Sequence, residues 1–227
     1  MKKIILFVSM FVLAIGAVAQ SIKEKPELKG ESSESLAAVR LANDLLRYGY
    51  ANKSTLALID ALQIFSENPT QPLNTTREGS EVDESKTDGK KAKVSFDYDT
   101  VLTDAKKFAD GDENLLALID NIDAEAKGAQ RGAVNGPSRH YDAVNGKSTD
   151  TYQISFIANV LAEILVSGDG DTDLDLYVYD SNGNLIASDE SYSDDCYVCW
   201  VPAWTGRFFV KIVNRGPVYN NYVILTN

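Results

Sequence analysis

The amino-acid sequence predicts a multidomain chain of two structural classes, an α-helical N-terminal region followed by an antiparallel β-sandwich. Three features carry this expectation. Apolar residues recur at helical spacing as far as Ala126, a turn-rich stretch follows over 128–149, and beyond Tyr152 they alternate at the two-residue period of a strand. In order, the chain divides into a leader over 1–19, a helical region over 20–127, a linker and sandwich entry over 128–149, and the sandwich over 150–227.

In the leader, Lys2 and Lys3 precede an almost wholly apolar run from Ile4 to Ala14, and Ala17-Val18-Ala19 supplies the small residues a signal peptidase accepts. The run is shorter than the ~20 residues that span a bilayer. Cleavage near Ala19/Gln20 is therefore expected, with a secreted or periplasmic product and no membrane span after cleavage. Loss of Lys2 and Lys3 takes the net charge from −11 to about −13. Such a field repels nucleic-acid phosphates and anionic lipid heads, which excludes those partners, and it suits cation binding.

Ala38, Leu41, Ala42, Leu45 and Tyr48 form one face of a first helix that begins near Ser33, with Gly49 as its expected stop. A second runs from a Ser54 cap through Leu58, Ala61, Leu62 and Phe65, and Pro69 prevents its continuation. Residues 66–93 then hold Pro69, Pro72, Gly79 and Gly89 among many polar residues, with Leu73, Val82 and Ala92 as the apolar members. That is too little apolar surface to offset the entropy of ordering, and the segment reads as a flexible insert. Helical spacing returns at Leu102, Ala105, Phe108 and Ala109 and, past Gly111, at Leu115, Leu118, Ile119, Ile122 and Ala126. The string LALID occurs at Leu56–Asp60 and again at Leu116–Asp120, which fits either a duplicated hairpin or a chance match between amphipathic helices. Either way, helical hairpins or a small bundle result.

Gly132, Gly136, Pro137 and Gly146 punctuate the linker, where His140 reads as an exposed loop residue. Seven strands are expected beyond it, near Tyr152–Phe156, Leu161–Val166, Leu174–Val178, Leu185–Ser188, Tyr197–Val201, Phe208–Val213 and Tyr219–Leu225. Asn182-Gly183 is a strong turn signal, and this many short strands parted by turns argue for a sandwich.

The stretch GDGDTDLDLYVYDSNGNLIASDESYSD, followed by WTGRFFVKIVNRG and YNNYVILTN, resembles the bacterial pre-peptidase C-terminal domain over roughly residues 136–227. The resemblance implies a jelly-roll-like β-sandwich that works outside the cytoplasm, beside a secreted peptidase, with calcium and extracellular polymers such as collagen as ligands of some members. The peptidase itself is missing. No HExxH or GxSxG occurs in the chain.

Asp169, Asp171, Asp173 and Asp175 stand at every second position, with no Lys or Arg between Glu163 and Arg207. Their mutual repulsion would be relieved by a cation, and hard oxygen donors favour Ca2+. An EF-hand loop is excluded, because counting from Asp169 puts Leu174 where that loop needs glycine. Tyr177 and Tyr179 share a strand face, and with Trp200 they form a candidate ligand-binding surface able to stack on sugars or grip an extended polypeptide. Cys196 and Cys199 form a candidate disulfide if a turn or bulge separates them, since positions i and i+3 of a flat strand are ~10 Å apart and point to opposite faces. Together these features predict an exported, non-enzymatic binding or structural protein whose calcium-assisted sandwich holds an extracellular polymer, glycan or protein. The alternative is an accessory or targeting partner of a separately encoded secreted hydrolase.

Overall fold

A computed structural model describes residues 33–82, 94–130 and 136–227, so the expected leader lies outside the described residues. Four helices come first: α1 (Glu34–Asn52), α2 (Thr55–Glu67), α3 (Tyr98–Phe108) and α4 (Glu113–Gln130). The Ser54 side chain caps α2 by accepting from the Ala57 N–H, and Asp97 caps α3 by accepting from the Thr100 N–H. Gly49 does not stop α1, which runs three residues further to a left-handed Lys53 at φ 52°. Its role is close approach: a Cβ there would lie 2.6 Å from Leu58 Cδ2 across the α1–α2 contact. The two LALID strings present different faces. Leu58 is fully buried whereas its counterpart Leu118 is exposed, and Ala57 is buried whereas Ala117 is exposed.

Among the described residues, the remaining elements are ten strands in two five-stranded sheets. One sheet has the order β1-β3-β10-β5-β8, built from Gln71–Pro72, Ser138–Val144, Asn220–Thr226, Ala162–Gly168 and Asp195–Trp200. The other has the order β2-β4-β9-β6-β7, built from Thr76–Glu78, Thr149–Phe156, Gly206–Asn214, Leu174–Tyr179 and Leu185–Asp189. All pairings are antiparallel except β1 with β3. The two sheets stack around Tyr152, Ile164, Leu174, Leu176, Trp200, Phe208 and Ile224, which gives the sandwich that the alternating pattern predicts.

Three strands were not legible in the pattern. The insert expected to be flexible over 66–93 contributes β1 and β2 before residue 82; the rest of it, 83–93, lies outside the described residues. Those two strands need little apolar surface, because backbone hydrogen bonds to β3 and β4 hold them: Gln71 and Leu73 donate to the carbonyls of Pro137 and Arg139 at 2.8 Å. β3 falls in the expected linker, and its Arg139, His140 and Asp142 mask the period of two.

The helices do not stand apart from the sandwich. Leu165, Val223 and Leu225 on the outer face of the β10–β5 pair join the same core as Leu36, Val39, Leu46, Leu62 and Ile119. Each such fully buried aliphatic side chain contributes about 1.5–3 kcal/mol relative to exposure. The protein is thus three layers deep, helices on sheet on sheet. β5 is buried on both faces, all seven of its residues. Polar contacts reinforce the junction: Arg47 of α1 donates to the Gly168 carbonyl at 2.8 Å and to Asp195, and Glu163 accepts from the Tyr197 hydroxyl at 2.7 Å and from the Ser33 N–H at 2.8 Å.

Candidate functional site

Among the described residues, helices cover one sheet, and the outer face of the β2-β4-β9-β6-β7 sheet is the broad strand surface left open to solvent. Strand register arranges its side chains in rows. Tyr177 of β6 stands beside Lys211 of β9, which stands beside Thr151 of β4; in the next row Tyr179, Phe209 and Gln153 follow in the same order. Tyr177 and Tyr179 stack with ring centroids 6.4 Å apart and planes 27° from parallel, close to the ~6.6 Å that two residues of strand rise impose. The Lys211 ammonium lies 4.9 Å from the Tyr179 ring centre, a cation–π contact that fixes the ring. Arg215 donates to the Tyr177 hydroxyl at 3.0 Å, and that hydroxyl donates to Asp175 at 3.0 Å. Partial desolvation and the Asp175 carboxylate push Tyr177 up to about 12, so it stays a neutral hydrogen-bonding phenol. The result is a half-buried aromatic platform with a basic and a polar margin. Phe209, Lys211 and Arg215 were missed in the sequence, although the alternation Arg207, Phe209, Lys211 outward against Phe208, Val210 and Ile212 inward carries the signal.

Tyr177 and Tyr179 therefore lie where the sequence places them, on one open face. Trp200 does not join them. It is 6% exposed and packs edge-on to Phe156 at 4.7 Å inside the sandwich, because β8 alternates inward at Cys196, Val198 and Trp200. The same alternation overturns the candidate disulfide. β8 runs flat from Asp195 to Trp200, so Cys196 faces the core and Cys199 the opposite side, and no disulfide joins them. Burial, first among the causes, together with nearby carboxylates raises the Cys196 thiol well above its usual range.

The four aspartates do not gather into a calcium cage either. Asp175 is claimed by Arg215, Asp173 accepts from the Ser193 N–H at 3.1 Å, and Asp169 accepts from both the backbone and side-chain amides of Asn221 at 2.9 and 2.8 Å. No group of three or more His, Cys, Asp or Glu among the described residues is placed to hold a metal ion. The four carboxylates do not form one face, because alternate positions share a face only inside a strand and β6 begins at Leu174.

His140 is not a loop residue. It lies on β3, 3.3 Å from Asp142, at the rim of a buried polar ring in which the Tyr152 hydroxyl donates to Asp142 at 2.8 Å and the Tyr222 hydroxyl donates to Asp150 at 2.7 Å. Arg77 of β2 closes the ring on both carboxylates at 3.3 and 3.2 Å. At one end of the sandwich, Ile157, Val160, Leu161, Val201 and Trp204 are all exposed on two loops that bond to each other, Asn159 N–H to the Pro202 carbonyl at 2.8 Å and Ala158 N–H to Thr205 at 2.9 Å.

No family model matches the chain, and no curated protein matches it. Among solved structures, it is similar to the pre-peptidase C-terminal domain of a collagenase from Bacillus anthracis, at 12% identity and a TM-score of 0.36, over 40% of this chain and 89% of that one. It is similar to a periplasmic inhibitor of g-type lysozyme from Aeromonas hydrophila, at 12% identity and a TM-score of 0.31, over 40% of this chain and 84% of that one. A third is a carbohydrate-binding module of lichenase 5A from Cellvibrio mixtus, solved with cellotriose, at 11% identity and a TM-score of 0.26, over 42% of this chain and 89% of that one.

Proposed function

We propose that this is an exported, non-enzymatic binding protein whose open sheet face holds an extended extracellular glycan. The stacked Tyr177–Tyr179 pair carries this reading. Aromatic faces offer a sugar ring's C–H surface an apolar partner, and Lys211, Gln153 and Thr151 in the same rows supply hydrogen-bonding groups for its hydroxyls. Rows that cross three strands suit a chain of repeating units better than a compact ligand. A catalytic role has less support, since the chain's single histidine is engaged by Asp142 and the Cys196 thiol is buried.

The test is gel-shift affinity electrophoresis of the full chain through a panel of soluble polysaccharides, with titration calorimetry on any that retards it. Tyr177→Ala and Tyr179→Ala should each weaken binding about tenfold, equivalent to roughly 1.4 kcal/mol. Equal retardation of wild type and both variants, or no retardation by any polysaccharide, would refute the proposal. A second reading is favoured by the apolar loop end, where five clustered exposed side chains suit a protein contact. On that reading the chain serves a separately secreted hydrolase, which should copurify from culture supernatant with wild type and not with Trp204→Ser.

A further inference from the structure

Arg139 is unlike the other arginines that reach into the fold. Arg47 pairs with Asp195 and Asp44, Arg77 with Asp142 and Asp150, and Arg215 with Asp175. Arg139 makes no ion pair with any described carboxylate. Its guanidinium lies between two rings, 4.3 Å from the centre of Phe65 and 4.8 Å from that of Tyr141. One donor, Nη2, reaches the Phe96 carbonyl at 3.2 Å; Nε has almost no solvent contact and no hydrogen-bond partner. Burial destabilises the cation and lowers its pKa, with Tyr141 and Asp97 only partly compensating. Arginine nevertheless stays charged at neutral pH. Asp97 does not serve as its counter-ion, because that carboxylate accepts from the Thr100 N–H and hydroxyl at 2.9 and 2.7 Å as the α3 cap.

Arg139 lines a cleft of about 400 Å3 between the helices and β1–β3. Tyr98 lines the same cleft; its hydroxyl is buried behind the ring without a hydrogen bond, and burial beside Asp123 and Asp99 raises it to about 12, so it keeps its proton. A buried cation without a paired carboxylate and a buried hydroxyl without an acceptor are costly in isolation and complementary to an anion. The remaining wall joins the apolar Phe65, Pro69, Pro72 and Tyr141 to polar residues, among them His140 and Asp97, whose carboxylate is held as the α3 cap. The volume is within the usual range for small-molecule sites.

We propose that this cleft is a binding site for a small organic carboxylate with an apolar, ring-bearing body, its carboxylate facing Arg139 and Tyr98 and its body against Phe65, Pro69 and Tyr141. The site is separate from the tyrosine platform and independent of it. Its occupant would supply the counter-charge that the fold withholds from Arg139, in a chain whose net charge otherwise disfavours anions.

Sodium benzoate and neutral benzamide, which share a ring and differ in charge, are the probes, titrated into the full chain with ligand-observed NMR and calorimetry. Benzoate should bind saturably in the millimolar range expected for a fragment-sized ligand, and at least about tenfold tighter than benzamide. Arg139→Met, which fills the same space between the rings, should abolish that preference. Tyr98→Phe, which removes one oxygen, should weaken benzoate about threefold or more and guards against misfolding of the first variant, while Tyr179→Ala leaves benzoate unchanged. Equal affinity for the two probes, no saturable benzoate binding, or undiminished benzoate binding in folded Arg139→Met or in Tyr98→Phe would each overturn the proposal.

Discussion

Arg47 provides a quantitative test of how the helices are fastened to the sandwich. Its side chain is 18% exposed and those of Asp195 and Asp194 are 13% and 11% exposed, so the cluster is only weakly screened by water. Arg47→Met keeps much of the side-chain length and removes the donors to Asp195 and to the Gly168 carbonyl. Hydrogen bonds to charged groups contribute about 1.5–3 kcal/mol each, and breaking a buried pair by removing one partner costs about 3–5 kcal/mol. The loss should therefore be near 3 kcal/mol, a large share of a typical total of about 5–15 kcal/mol. With a urea slope of about 2 kcal/mol per molar, the unfolding midpoint of the full chain should fall by about 1.5 M. Asp195→Asn should cost less, and the double variant should show a coupling of about 1–3 kcal/mol. Circular dichroism follows the helices and tryptophan fluorescence follows the sandwich interior around Trp200, and both should report one coincident transition in wild type. A midpoint shift below about 0.3 M, or additive single effects, would refute an energetic junction through Arg47.

Two further outcomes follow from the arrangement around β6 and β8. Asp175→Asn should destabilise the protein by about 1–2 kcal/mol through loss of the charge-assisted contacts with Arg215 and Tyr177, and by the same amount in EDTA and in millimolar calcium; a deficit that appears only with calcium would instead make Asp175 a metal ligand. Under denaturing, non-reducing conditions a thiol reagent should titrate two cysteines, while in the native state Cys196 should stay protected until the protein unfolds; a count of zero would show the bridge that flat β8 geometry forbids.

The existence of the helices and main strands was readable from their periods, but not the packed face of α1, which buries Leu36, Val39, Ala42 and Leu46 and leaves Leu41 and Tyr48, assigned to that face, exposed. α2 buries Leu58, Ala61, Leu62 and Phe65, the residues its spacing singled out, and β9 buries Phe208, Val210 and Ile212 in strict alternation. What was hidden depends on partners distant in sequence. β1 and β2 are strands because β3 and β4 offer them hydrogen bonds, and five polar-leaning residues carry no trace of that offer. Tyr177 and Tyr179 could be placed on one face from their spacing alone, but Trp200 has the same aromatic character and an opposite fate, decided by which side of β8 meets the other sheet. Arg139 and Tyr98, 41 positions apart by their numbers, meet one cleft only through the packing of the helical layer on the sheet.

The short clasp formed by β1 and β2 also bears on solubility. A sandwich without closure presents strand edges that invite other chains to pair with them, and an edge can be blunted by shortness, charge or proline. The clasp uses all three on one side of the molecule. In β1 the N–H groups of Gln71 and Leu73 turn inward to β3, and the position between them, whose N–H would turn outward, is Pro72, which has none. β2 spans three residues, two of them the charged Arg77 and Glu78. The helical half of the chain thus lends the sheets a border on which edge-to-edge aggregation finds little to extend.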